Sequence, residues 1–97
     1  MITGLAKSKR VRLKGEPLKK LNYEIHERDN YTCVVCGGHV PLEEKFHHEP
    51  CGANKSDEIS KGCLLCQECH YQRHHGKAAG VIKETCEVYL NDIYHSC

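Results

Sequence analysis

The chain has 97 residues, eight cysteines, no tryptophan and a formal net charge of +1. That length allows one small fold with a thin hydrophobic core, near the size at which a metal or disulfides supplement burial. No apolar run is long enough for a signal peptide or membrane span, which excludes a membrane role and points to a reducing cytosol, where paired cysteines read as metal ligands rather than disulfides.

The charge is unevenly placed. Residues 1–20 carry Lys7, Lys9, Arg10, Arg12, Lys14, Lys19 and Lys20 against Glu16 alone, a local +6 that leaves −5 for the remainder. A basic arm on a nearly neutral body suits a polyanionic partner, although a solvated tail is the other reading of the same charges. Residues 1–15 show neither helical nor alternating periodicity and are expected to be a flexible basic arm; residues 16–97 then form a single domain.

Pro17 stands where the first turn of a helix accepts it, and Leu18, Leu21 and Ile25 recur at three- and four-residue spacing, which predicts a short amphipathic helix over 16–28. Asp29-Asn30 marks its end. Cys33-Val34-Val35-Cys36-Gly37-Gly38 reads as a metal-binding knuckle, its glycines permitting the tight turn that aims backbone N–H groups at the sulfurs. A first strand is expected near Lys45-Phe46-His47-His48, closed by Pro50, and residues 51–58 form a polar loop. The stretch Ile59 to Leu65 is expected to pair with that strand, and Gln67 to His75 to be helical. Val81, Ile82, Cys86, Tyr89, Leu90 and Ile93 recur at helical spacing, predicting a packing helix over about 81–95 that returns to the core.

Two Cys-x-x-Cys pairs, Cys33/Cys36 and Cys66/Cys69, make a closed tetrahedral zinc site, because each pair spans one edge of the tetrahedron and no position stays open. Such a site is structural. The 29 residues between the pairs exceed the roughly 15–20 of simple zinc ribbons, so something extra is held between the knuckles. Cys51 and Cys63 are alternative ligands, but Cys51 has no Cys-x-x-Cys mate, and Cys63, which has one in Cys66, falls where an apolar strand residue is wanted. Cys51, Cys63, Cys86 and Cys97 are read as small buried hydrophobes.

The intervening segment contains His47-His48. His70 and His74, four apart on a predicted helix, project from one face and can share a metal, with His47 or His48 supplying a third nitrogen. His26, His39 and His95 are read as surface or satisfied residues, and His75 is ambiguous.

Taken together, Arg28-Asp29-Asn30-Tyr31-Thr32-Cys33-Val34-Val35-Cys36-Gly37, His47-His48-Glu49-Pro50 and Leu64-Leu65-Cys66-Gln67-Glu68-Cys69-His70-Tyr71-Gln72-Arg73-His74 resemble an HNH endonuclease of the ββα-metal fold with an added four-cysteine zinc. The resemblance covers about residues 28–76, and small phage and prophage nucleases are similar in size and layout. It implies a small α+β fold, with a two-stranded antiparallel hairpin and a helix forming a core over about 33–76, flanking helices, and one catalytic divalent metal distinct from the structural zinc. By the same resemblance, His47, His70 and His74 bind the catalytic metal and His48 is the general base, in the cytoplasm of a bacterial or phage-infected cell. Two departures are visible. One residue, Glu49, separates His48 from Pro50 where the family usually has two, and anchoring on the proline makes His47 the base; Lys61 stands where the central Asn usually lies, with Asn54 as an upstream substitute.

The expected chemistry is phosphodiester hydrolysis in DNA. A near-neutral imidazole deprotonates water while the divalent ion contacts the phosphate and stabilises the departing 3′-oxygen. Histidine ligands do not select among Mg2+, Mn2+, Ni2+ and Zn2+. Arg73, Lys55 and Lys61 are candidate phosphate contacts, each with a solvated surface charge as its bland reading, and Lys9, Arg10 and Arg12 of the arm would add salt-dependent affinity. No recognition helix is evident, so sequence specificity would come from dimerising or from a phage or recombination partner protein. The competing readings are a non-catalytic zinc module that binds nucleic acid or protein, and a degenerate nuclease that binds DNA without cutting it.

Overall fold

The structure, a computed structural model, describes residues 10–94. Lys9, His95 and Cys97 lie outside the described residues. The chain forms helix α1 (Glu16–Arg28), strand β1 (His47–His48), strand β2 (Gly62–Cys63), helix α2 (Gln67–His75) and helix α3 (Ala79–Tyr94), a small α+β arrangement. None of the described helices is long and apolar enough to cross a membrane.

Helix α1 begins as expected at Glu16-Pro17 and buries Leu21, Ile25 and His26. The His26 ring lies between the carbonyls of Asn22 (Nδ1, 2.8 Å) and Pro41 (Nε2, 3.0 Å), so a buried imidazole ties the helix to the turn before β1. At the helix end, Arg28 and Asp29 form a hub that joins three elements. Arg28 donates through Nε and Nη2 to both oxygens of Asp29, and also to the carbonyls of Ile59 and Gly62 and the hydroxyl of Tyr94. Asp29 in turn accepts from the Leu64 amide and the Tyr89 hydroxyl, so β2 and α3 are both fastened to the C-terminus of α1. Every polar atom buried there has a partner, which is the condition for burying an ion pair at tolerable cost.

The two strands pair antiparallel, His47 opposite Cys63 and His48 opposite Gly62. They are shorter than the expected stretches, because Ile59–Lys61 forms a 3-10 turn and the chain from Glu49 to Glu58 is a loop with a second such turn at Gly52–Asn54. Gly62 is required by packing: a Cβ there would lie 2.5 Å from Phe46 Cδ2. The core lies between α1, β2 and α3, with Ile25, Val40, Cys63, Leu64 and Cys86 fully buried. Helix α3 contributes Ile82, Cys86 and Leu90 to it, whereas Val81 and Ile93, expected on the same stripe, are exposed.

Two placements differ from the sequence expectation. Residues 10–13, assigned to the flexible arm, run alongside loop 55–57: Val11 N donates to Ser56 Oγ (2.8 Å), Asp57 N to Val11 O (2.9 Å) and Leu13 N to Asp57 Oδ2 (2.8 Å). Among the spare cysteines, Cys63 and Cys86 are core residues as expected, but Cys51 is half-buried and lines a hollow together with four histidines. It sits in the loop between β1 and β2.

Candidate active site

The sulfurs of Cys33, Cys36, Cys66 and Cys69 all lie within 4.8 Å of one another. The first knuckle is closed by Cys33 N donating to Gly38 O (2.7 Å), with Gly37 at φ 83°, and Cys33 Sγ faces the amides of Val35 and Cys36. The second is the start of α2, where Cys66 is the N-cap and its sulfur accepts from Cys69 N at 3.4 Å. Cys36 and Cys66 bring the knuckles together with sulfurs 3.6 Å apart, close to the edge of about 3.8 Å of a tetrahedron with metal–sulfur bonds of about 2.3 Å. Burial and the neighbouring sulfhydryls push the Cys69 thiol up, while at Cys33 burial is outweighed by amide donors and the thiol is brought down to about 7. Crowded thiols of this kind resist ionising together unless a cation neutralises them, so the donor set fits a metal. Cys63 is no part of it; its sulfhydryl bonds to Cys86, and that contact with burial raises its pKa strongly.

The second cluster is made of histidines. His70 and His74, one turn apart on α2, have ring centroids 4.9 Å apart, and His47 on β1 lies 5.0 and 5.6 Å from them. One nitrogen from each ring falls within 4.8 Å of the others, a spacing that can close on one ion. Burial, with His47, His74 and Arg73 adding to it, holds His70 down to about 4, and burial also lowers His74, so both rings stay neutral and free to coordinate near pH 7.

His47 is only 2% exposed, and its Nε2 lies 2.9 Å from Glu49 Oε1. The Glu49 carboxylate, which burial alone would raise, is brought down to about 2 by His47 and by Arg73. It is therefore ionised and accepts, which fixes the His47 proton on Nε2 and leaves Nδ1 for a metal. Arg73 completes this shell with Nε and Nη2 on the two Glu49 oxygens at 3.0 and 2.9 Å.

His48 has a different carboxylate partner. Its Nε2 lies 2.7 Å from Asp57 Oδ1 and its ring packs against Phe46. Burial lowers its pKa, Asp57 opposes that, and Lys55 and Lys45 add to it, with the net shift downward. His47, His48, His70 and His74 share a hollow of about 280 Å³ with Cys51 and with Lys45 and Lys55.

The sequence-derived phosphate contacts separate at this point. Lys55 lines the histidine hollow; Lys61 lies against Glu58 (3.5 Å) and lines a different hollow; Arg73 is engaged by Glu49. Arg10 donates to the carbonyls of Ala53 and Lys55, and Arg12 is exposed. Asn54 is exposed in its turn, and Asp57 rather than Asn54 reaches His48. Sequence reasoning missed Glu49, Asp57 and Lys45. The available signal for Glu49 was its position two residues after His47, which puts it on the same face of a strand.

No protein-family model, no curated protein and no solved structure matches this chain.

Proposed function

We propose that the chain is a metal-dependent DNA endonuclease of the HNH class with a ββα-metal core. In this reading zinc occupies the four-cysteine cluster, and a catalytic divalent cation is held by His47, His70 and His74. The observation that carries it is the convergence of those three imidazoles beside a fourth, His48, in a hollow flanked by Lys45 and Lys55 and separate from the four-cysteine cluster. A non-catalytic zinc module gives the histidines no task.

The four thiols form a closed set with no vacant position, which suits a structural zinc. The cation at the histidines would supply Lewis-acid neutralisation of the scissile phosphate and of the departing oxygen. The chain's own residues do the rest. Glu49 and Arg73 lock His47 in one tautomer and orientation. His48 is the base rather than His47, because Asp57 accepts a hydrogen bond from its Nε2–H and leaves Nδ1 as the acceptor, whereas both nitrogens of His47 are already engaged, Nε2 by Glu49 and Nδ1 by the proposed cation. His48 Nδ1 takes a proton from water, the water oxygen bonds to phosphorus, and the bond to the 3′-oxygen breaks. Solvent then protonates that oxygen, giving 5′-phosphate and 3′-hydroxyl ends. Lys45 and Lys55 hold phosphate oxygens at the rim.

The test is cleavage of supercoiled plasmid by the zinc-loaded protein with EDTA or with added Mg2+, Mn2+ or Ni2+. Cutting that requires the added metal and falls sharply in His70→Ala and His74→Ala supports the reading. A wild-type protein that binds DNA and never cuts it transfers the chain to the zinc-containing binding modules.

A further inference from the structure

Among the described residues before α1, Leu13 is linked to His48 through Asp57. This side chain uses one oxygen for each of two partners: Oδ1 accepts from His48 Nε2 at 2.7 Å and Oδ2 accepts from Leu13 N at 2.8 Å. The backbone next to Leu13 and at Asp57 is pinned as well. Val11 N donates to Ser56 Oγ, Asp57 N donates to Val11 O, and the Ser56 hydroxyl donates to Glu58 Oε2 at 2.6 Å. Ser56 is 2% exposed, whereas Leu13 and Asp57 are half-buried and Val11 is exposed, so the seam is partly buried and closed on its inner side.

We propose that Asp57 is the positioning residue for His48, and that the segment 10–13 belongs to the active site because the Leu13 amide holds the Asp57 carboxylate in place. The inference rests on the reading of His48 as the proton acceptor. An imidazole can carry its single proton on either nitrogen, and only the tautomer protonated at Nε2 offers a basic Nδ1. A carboxylate behind Nε2 selects that tautomer and fixes the ring plane. It works only if the carboxylate cannot swing away. With its second oxygen bonded to a main-chain N–H of a segment paired to the same loop, Asp57 has one orientation that satisfies both partners. The segment before α1 thus acts as a strap across the back of the base, and it takes over the orienting task that the resemblance gives to an Asn at the place of Lys61.

Asp57→Asn separates positioning from folding. An amide keeps an oxygen for the Leu13 N–H but presents its NH2 to His48, which favours the reverse tautomer with the proton on Nδ1. In the metal-loaded protein at pH 8, long-range ¹⁵N–¹H correlation spectra of the imidazoles should show His48 protonated at Nε2 in wild type and shifted toward Nδ1–H in Asp57→Asn. Plasmid cleavage should lose kcat by about 10- to 100-fold, the usual range for an orienting partner, with KM unchanged. Leu13→Pro, which removes the N–H and keeps an apolar side chain, should produce a smaller loss of the same kind and a mixed tautomer signal. It also serves if Asp57→Asn fails to fold. An unchanged His48 signal in both variants, or a wild-type His48 already protonated at Nδ1, overturns the proposal. If the wild type cuts no DNA with any metal while the His48 signal responds as described, the positioning by Asp57 stands and the nuclease reading falls.

Discussion

Glu49→Gln should cost both stability and metal affinity, by separable amounts. The Glu49 side chain is 4% exposed and holds three charge-assisted hydrogen bonds, one to His47 and two to Arg73. Its folded pKa of about 2 lies below the ordinary 4.5, and that depression corresponds to about 3.5 kcal/mol at 1.4 kcal/mol per unit, or about 3 kcal/mol once solvent screening is discounted. The sign follows from the direction: a carboxyl depressed by folding contributes fully above its unfolded value near 4.5 and loses the contribution as pH falls from there toward 2. Glutamine keeps the shape and removes the charge, leaving the Arg73 guanidinium with a neutral partner. Urea unfolding of both proteins should show a gap of about 3 kcal/mol at pH 7 that narrows steadily as pH falls from 4.5 toward 2, where the wild type loses the same interaction. Comparing the two proteins at each pH cancels the acid sensitivity that the thiol cluster gives to both. Because the amide no longer fixes the proton on His47 Nε2, affinity for the histidine-bound metal should also fall about 10- to 100-fold, while the cysteine-bound metal is retained. A variant as stable as wild type at pH 7, with unchanged affinity at the histidines, would refute the argument that Glu49 organises this shell.

Two further outcomes follow from the same structure. Cys66→Ser removes one of the four clustered thiols while its hydroxyl can still cap α2, so the protein should lose the metal proposed there and unfold; a folded variant without that metal, by circular dichroism and metal analysis, would contradict the structural role. The double variant Lys45→Ala/Lys55→Ala should keep both metals and weaken DNA binding, with the slope of log affinity against log salt falling by roughly two in fluorescence anisotropy; an unchanged slope would remove these lysines from the DNA path.

What could be read in the sequence and what could not divide along the range of the interactions. Helix α1 was legible because Pro17 and the Leu18, Leu21, Ile25 spacing are local signals, and α2 because it connects Cys66/Cys69 to His70 and His74 at fixed spacing. The four thiols and the three imidazoles were legible as sets for the same reason: two short motifs need only one strand pairing to bring them together. The charged shell around them was not. Arg73 read as a phosphate contact because a single basic residue on a helix gives no hint of a carboxylate 24 positions away, and Glu49 registered only as a spacing irregularity before Pro50. Asp57 and the docked segment 10–13 were hidden for a similar reason, since main-chain pairing without alternating hydrophobicity leaves no periodic trace. The Arg28–Asp29 hub likewise depends on α3 returning to bring Tyr89 and Tyr94.

The central claim is that His48 performs the proton transfer in a metal-dependent cut. The direct measurement compares wild type and His48→Ala on supercoiled plasmid after native mass spectrometry shows both proteins carrying metal at the cysteine and the histidine sites. The account predicts that wild type converts the plasmid only with the second metal present, and that His48→Ala, folded and equally loaded, is slower by about 10²- to 10⁴-fold. Equal cutting by the two proteins, or a fully loaded wild type that leaves every plasmid intact, would contradict it.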